Sequence, residues 1–242
     1  MGIDFSYDFL VRPEDAGRFL AAVSTICDPE ETRSTTVILP EGGEVRVPGT
    51  YRFAGDQTVE LAKLLATGDL DLSLLFPEDG PLLEYRADSY TPEKAGPVMV
   101  GYVYLRFYDG SWLLPGHLNL SFTPATSEQS RLFLRSPSIR ETFANLAVTT
   151  GTPLCLFDVE AGDRIIVSAG EHRVSTRVPG PLLLWHGGAP GDEAAAELRA
   201  LLDGHPADPP LWIIEPDRTF VDDLAELSRV EPRHWLAVRP ES

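Results

Sequence analysis

The stretch that decides the fold is PVMVGYVYLRFYDGSWLLPGHLNLSF, residues 97–122. Asp109-Gly110 favours a tight hairpin turn, and apolar and aromatic runs flank it. Both faces of residues 98–108 are apolar or aromatic, so we expect a strand that is covered on both sides or that uses one face for binding. Pro115-Gly116 predicts an edge or a bulge in the return strand. The hairpin is therefore expected near the centre of the sheet.

The segments before the hairpin carry strand and helix patterns in turn. The predicted elements are a strand at 3–11, a helix at 13–27, a hairpin around Glu41-Gly42-Gly43, a helix at 56–68 that Asp56 caps and Gly68 ends, and a strand at 69–76. In the last of these, leucines alternate with Asp69, Asp71 and Ser73, which predicts one packed face and one wet face. We expect a loop with a short extended piece at 82–96.

The segments after the hairpin predict a helix, then three strands, and then alternating strands and helices. Ser136 can cap the helix with Pro137 at its first position, or Ser138 and Glu141 can form a capping box. Three strand patterns follow at 153–178. After them, LLLWH, LWIIEP and HWLAV alternate with helical patterns, which favours parallel pairing.

The predicted fold class is α+β: a mostly antiparallel sheet with helices packed on one side, and a C-terminal third that is more α/β-like, in the order β-α-β-α-β. We expect residues 1–150 to form a domain around the hairpin. Residues 151–242 form a smaller unit, or continue the first as a single domain.

The net charge of −17 is the strongest global feature. Residues 1–92 hold 17 acidic and 7 basic residues, residues 93–191 hold 8 of each, and residues 192–242 hold 12 and 5. Such a charge repels phosphate backbones, so nucleic-acid binding is disfavoured, whereas a basic protein partner is favoured. Plain solubility is the other explanation of the charge.

Several absences predict a cytoplasmic protein. No apolar run is long enough to span a membrane, and the first ten residues lack the basic start of a signal peptide. The two cysteines, Cys27 and Cys155, lie in apolar patterns and are expected to be buried thiols. The five histidines form no metal-binding pair, so no metal and no cofactor is expected.

Arginines and hydroxyl residues around 123–140 form the best candidate binding group. Ser127, Arg131, Arg135 and Arg140 could hold a carboxylate or phosphate near a helix N-terminus. The alternative is that the arginines pair with acidic neighbours and that the hydroxyls serve turns and caps. Arg106 lies in an otherwise apolar strand and needs a partner if it is buried, so its role stays open. Any site is expected where LNLSF leaves the sheet and the Ser136 helix begins.

A weaker candidate is the loop that contains His186, Gly187 and Gly188, which follows a strand pattern and precedes a helical one. Such a loop can cradle phosphate, but Asp192 and Glu193 would already occupy the helix's first turn. The carboxylate pairs Asp69/Asp71 and Asp222/Asp223 predict solvated faces, which would also suit a cationic partner. No catalytic motif is present.

Three functions remain open on this basis. The leading hypothesis is a non-enzymatic, cytosolic, acidic binding protein, such as an immunity or inhibitor protein for a basic partner. The second is an enzyme or a binder of a small anionic ligand with a pocket near Arg106, Arg131 and Arg135. The third is a domain whose charge serves solubility alone. The sequence makes no prediction of oligomeric state.

Overall fold

The computed structural model describes residues 5–51, 56–88, 95–110, 116–152, 154–159, 183–185 and 235–237. The strands β1 to β11 in these ranges are Phe5–Val11, Ser34–Ile38, Glu44–Pro48, Thr50–Tyr51, Gln57–Glu60, Asp69–Phe76, Val98–Tyr108, Leu118–Pro124, Leu154–Val159, Leu183–Trp185 and Trp235–Ala237. The helices α1 to α5 are Ala16–Ser24, Leu61–Thr67, Gly80–Asp88, Ser127–Arg135 and Pro137–Thr150, and a short 3-10 turn, Pro13–Asp15, precedes α1.

The described strands form two sheets. The larger has eight strands in the order β11-β10-β9-β1-β8-β7-β6-β4, and each of its described pairings is antiparallel. The smaller has the order β3-β2-β5, with β2 antiparallel to β3 and parallel to β5. The mostly antiparallel α+β class expected from the sequence is confirmed.

An aromatic cluster joins the helices to one face of the large sheet. Phe143 of α5 lies at its centre, with its ring centroid 4.6 Å from that of Tyr7 in β1 and 4.8 Å from that of Phe122 in β8. Phe133 of α4 lies 5.7 Å from Phe143, and Phe19 of α1 lies 5.1 Å from Phe9 of β1. Aromatic rings bury large apolar areas in tilted and edge-on contacts, so this cluster holds α1, α4 and α5 on the same side of the sheet.

The hairpin has the position that the sequence predicts, with β8 at the middle of the sheet. β7 and β8 pair from Val103↔Pro124 to Tyr108↔Asn119. Every residue of β8 is buried, and so is every residue of its other neighbour, β1. Because the side chains of a strand point alternately to its two faces, both faces of these two central strands are shielded from water.

Strand β6 confirms the alternation of its sequence. Leu70, Leu72, Leu74 and Phe76 are fully buried, whereas Asp69, Asp71 and Ser73 are only half-buried. The apolar row faces the helices, because Phe76 lies 5.8 Å from Phe143 in ring-centroid distance. The polar row therefore lies on the opposite face of the sheet.

Two expectations before the hairpin are wrong in part, the loop over residues 82–88 and the start of the helix at 56–68. Residues 82–96 were expected to be a loop, but α3 covers Gly80–Asp88. The helix expected at 56–68 begins only at Leu61, because Gln57–Glu60 pairs with β2 as a strand. Asp56 consequently caps no helix; its carboxylate accepts hydrogen bonds from the backbone and side chain of Ser34, which hold its pKa below the ordinary value.

The hydroxyl-rich segment after β8 forms a helix of its own, α4, which the sequence pattern did not indicate. Its N-cap is Thr126, whose side chain accepts a hydrogen bond from the backbone N–H of Gln129. Of the two alternatives for α5, the structure has the Ser136 cap, with Pro137 at the first helical position. Gly151 ends α5 in the left-handed conformation, as its sequence predicts.

The C-terminal third is described only in three strands. β10 and β11 pair antiparallel, with Leu184 opposite Leu236, so the expected parallel pairing is wrong for these two strands. The intervening helical patterns, the strand pattern LWIIEP and the strand patterns between 160 and 178 lie outside the described residues. β9 continues the large sheet directly beside β1, and the division near residue 150 stays a prediction.

Two further expectations concern the cysteines and the membrane. Cys27 and Cys155 are both buried and free, as expected. In the part of the chain that the structure describes, no helix has the length and apolar character needed to cross a bilayer.

Candidate functional site

The N-terminus of α5, where the sequence predicted a site, is held by a carboxylate of the chain itself. Asp79 Oδ2 accepts hydrogen bonds from Ser136 Oγ at 2.5 Å and from the backbone N–H of Ser138 at 3.0 Å. Its Oδ1 accepts a third from the backbone N–H of Leu82, in the first turn of α3, at 2.9 Å. A helix N-terminus favours an anion, and Asp79 supplies that anion to two helices at once.

Two of the predicted arginines, Arg131 and Arg135, line a shallow cleft of about 160 Å³ between α3 and α4. Glu84 and Glu128 line the same cleft, and Arg135 forms a loose ion pair with Glu84, with 3.9 Å between nitrogen and oxygen. The charges in the cleft are therefore mixed, and they are exposed to water, which weakens each pair.

The other predicted residues lie elsewhere. Arg140 is buried, and its Nη1 donates to the carbonyl of Leu134 at 2.9 Å. Ser127 is exposed in the first turn of α4, next to the capping Thr126. The loop with His186, Gly187 and Gly188, and the pair Asp222/Asp223, lie outside the described residues.

Arg106 is separated from Arg131 and Arg135 by the sheet. Its neighbours in β7, Leu105 and Phe107, are buried in the core, so Arg106 points to the face opposite the helices. It stands directly across from Asp69 of β6 and Ser121 of β8. The three arginines thus belong to two different surfaces.

The face on which Arg106 lies is the most distinctive surface of the described structure. We call it the open face, and it consists of the outward residues of β6 and β7: Asp69, Asp71, Ser73, Leu75, Met99, Tyr102, Tyr104, Arg106 and Tyr108. Three of its apolar side chains are unusually accessible, with exposed fractions of 42% for Met99, 63% for Tyr102 and 41% for Tyr108. Tyrosine, methionine and arginine are enriched in protein interfaces, so the composition is that of a contact surface.

The polar side chains of the open face form no hydrogen bonds or close ion pairs within the described residues, although the charge of Arg33 acts on Asp71. None of the side chains of Asp69, Asp71, Arg106 or the three tyrosines forms a hydrogen bond or an ion pair there. Some other carboxylates of the described chain serve in caps and loop contacts, as those of Asp56 and Asp79 do. These charged and hydroxyl side chains are partly or largely exposed to solvent.

The electrostatics of the open face favour a cation beside Asp71. Partial burial raises the pKa of Asp71 above its ordinary value, against the opposing effect of Arg33. The neighbouring carboxylates of Asp69 and Glu31 raise that pKa further. Like charges that lie close together favour an incoming positive group, because it relieves both the repulsion and the cost of partial desolvation.

A bulge shapes the open face at its middle. The pairing of β6 with β7 shifts between Leu72 and Leu74, so that Gly101 and Tyr102 together oppose Ser73. Tyr102 has φ 55°, and it is the one non-glycine residue with positive φ in the described ranges. Bulges redirect side chains, and this one leaves the Tyr102 ring in solvent.

The sequence held a partial signal for this surface. It predicted a wet face for β6 and allowed a binding face for residues 98–108, but it did not indicate that the two faces adjoin. In the described ranges, no group of three histidine, cysteine or acidic residues could hold a metal ion. Comparisons with protein-family models, with curated proteins and with solved structures found no match to this chain.

Proposed function

We propose that this chain is a non-enzymatic binding protein that holds a basic protein partner on the open face. The observation that carries the proposal is the row of accessible tyrosines and Met99 on β7, beside the carboxylates of Asp69 and Asp71 on β6. Aromatic side chains give contact area at small entropic cost, and adjacent carboxylates select cationic groups.

The negative charge of this chain supports a basic partner both at long distance and at contact. The net charge of −17 attracts a positive protein over distances of a Debye length and speeds its encounter. At contact, Asp69 and Asp71 exceed the positive charge of Arg106 on the open face, and the nearby Arg33 and Glu31 add one charge of each sign. Arg106 itself can donate to a carbonyl or carboxylate of the partner and so fix its orientation. An immunity or inhibitor protein would have these properties.

A binding experiment with matched variants tests the proposal. Wild-type chain is immobilised and exposed to extract of the source organism at about 0.05 M and about 0.5 M NaCl, which change the Debye length roughly threefold. We expect a retained protein with a basic isoelectric point that is lost at the higher salt. The double variant Asp69→Asn/Asp71→Asn should bind it at least about tenfold more weakly.

The control removes the same two charges from another surface. Glu41→Gln/Glu44→Gln alters exposed residues at the turn between β2 and β3 and should leave binding within about twofold of wild type. Equal losses in both double variants would mean that net charge alone acts, and the open face would then have no special role. A retained partner that is acidic, or no salt-sensitive partner at all, would also overturn the proposal.

A further inference from the structure

The backbone at Tyr102 has an energetic cost that glycine would avoid. A left-handed conformation brings Cβ of an L-residue close to its own carbonyl oxygen, whereas glycine adopts it freely. The other described residues with positive φ, such as Gly110 and Gly151, are all glycines. The backbone at this position is therefore strained because the residue is a tyrosine and not a glycine.

The surrounding structure holds the bulge firmly. The carbonyl of Gly101 accepts a hydrogen bond from Gln129 Nε2 at 2.7 Å, and the carbonyl of Tyr102 accepts one from the backbone N–H of Ala125 at 3.1 Å. Gln129 is buried, donates also to the Tyr85 hydroxyl at 3.3 Å, and accepts from Ala125 through Oε1 at 3.2 Å. The start of α4 thus fixes the strained backbone, and strain that is held in this way is typical of functional positions.

The Tyr102 side chain contributes little to the fold that holds it. It is 63% exposed, the most exposed of the large apolar side chains in the described ranges, and it forms no hydrogen bond there. The inward pattern of β7 is carried by Val100 and Val103 on either side of the bulge. Within the described residues, neither burial nor a hydrogen bond of the Tyr102 side chain offsets the strain of its backbone.

We propose that Tyr102 is the anchor of the open face and that its ring receives a guanidinium or ammonium group of the basic partner. This inference rests on the proposed function for the charge of the partner. A cation over an aromatic face is stabilised by the ring quadrupole, and tyrosine is enriched among the residues that dominate binding energy. Asp71 and Asp69 on the neighbouring strand, which form no hydrogen bond or close ion pair among the described residues, supply the negative potential that draws the cation to this surface.

A defined probe tests the anchor directly. Hexa-arginine amide is titrated into the chain at low salt, with hexa-glutamine amide as the neutral control, and the tyrosine ring resonances are followed by NMR. We expect the largest shift at Tyr102, identified by its loss in Tyr102→Phe. Tyr102→Phe should bind within about twofold of wild type, and Tyr102→Leu about three- to fivefold more weakly, because leucine keeps the apolar bulk but has no ring quadrupole.

A stability measurement separates anchoring from a structural role. Tyr102→Gly should keep the unfolding midpoint or raise it by up to about 3 °C, because the strain is relieved, while binding of hexa-arginine weakens. Ile38→Ser, which removes a side chain of 40% exposure from the small sheet, should leave binding unchanged. A clear drop in the midpoint of Tyr102→Gly would assign Tyr102 to the fold and overturn the anchor.

The outcomes for the two proposals are distinguishable. If the peptide shifts Tyr104 and Tyr108 but not Tyr102, or if Tyr102→Leu binds like wild type, the anchor is wrong while the open face stands. If Tyr102 shifts as expected but no basic protein is retained from extract, the anchor is supported and the proposed function fails.

Discussion

Single side chains at the core of this molecule show how burial decides protonation. Cys27 lies between α1 and β2, pairs with Leu74 of β6 through an isolated bridge, and donates from Sγ to the carbonyl of Val23 at 3.4 Å. Burial, with a smaller contribution from Asp28, raises the pKa of the Cys27 thiol from 9.0 to about 12. A thiol of this kind is a small apolar core residue and a poor nucleophile.

The shift at Cys27 predicts a loss of stability in alkaline solution. The unfolded chain ionises the thiol from about pH 9 upward, while the folded chain keeps it neutral until about pH 12. Above pH 9 the unfolded state therefore binds fewer protons, and the free energy of unfolding falls as pH rises. Denaturant titrations between pH 8 and pH 11, with intervals of about one unit, should show this fall.

The matched variant for this prediction is Cys27→Ser, whose hydroxyl does not titrate in that range. Its slope against pH should be shallower than that of wild type, although its stability at pH 8 is lower. A slope that is the same in both proteins would show that Cys27 does not contribute. Cys155, whose pKa burial also raises, accounts for part of the slope that remains.

Among the secondary-structure elements, α3 and α5 are tied to each other through one carboxylate. Asp79 accepts from the first turn of α3 at Leu82 and from the first turn of α5 at Ser138, and it also binds the capping Ser136. Neither helix has another acidic residue in its first turn. The junction thus fixes the end of β6 against the helix that carries Phe143.

Removal of this tie should be costly. Asp79→Ala leaves the backbone N–H groups of Leu82 and Ser138 and the Ser136 hydroxyl without their acceptor. Ser136 Oγ still accepts from the backbone N–H of Ile139. Each lost hydrogen bond costs about 1 kcal/mol, so we expect a loss of about 2–3 kcal/mol in the free energy of unfolding by urea. Hydrogen exchange at Ser138 and Leu82 should speed up as well. Glu141→Ala, an exposed acid of α5, is the control and should change the free energy by less than about 0.5 kcal/mol. An equal effect of the two changes would contradict the tie.

For the whole molecule, net charge sets the response to salt. The negative charges of a chain with net charge −17 repel one another and destabilise the folded state. The ion pairs among the described residues are few and mostly exposed, so they add little stability even at low salt. An increase in NaCl from about 0.01 M to about 0.3 M screens the repulsion and should raise the thermal midpoint by a few degrees. The measurement is a thermal melt followed by circular dichroism.

Charge removal provides the control for the salt response. Glu41→Gln/Glu44→Gln should raise the midpoint at low salt and reduce its rise with added NaCl, because less repulsion remains to be screened. A midpoint that falls on addition of salt would mean that attractive pairs outweigh self-repulsion in this protein. The same double variant also serves as the control for binding, so one preparation tests both effects.

Local patterns were sufficient wherever neighbours along the chain decided the outcome. Alternation predicted both faces of β6, and Gly151 predicted the end of α5. The Ser136-Pro137 pair was one of two starts predicted for α5, and the structure has it. Asp109-Gly110 lies at the end of β7, where the hairpin was expected to turn. These features depend on side-chain periodicity and on caps, which act over a few residues. The α+β class followed from them.

The sequence alone determined the hairpin, the wet face of β6 and the excess of negative charge. Only the tertiary structure decided that Gln57–Glu60 is a strand, because its partner β2 lies some twenty residues away along the chain. It alone placed Arg106 opposite Asp69, far from Arg131 and Arg135, and set the bulge that exposes Tyr102. The reason is physical: pairing register and strand order are made by contacts between distant segments, and no local pattern encodes which segments meet.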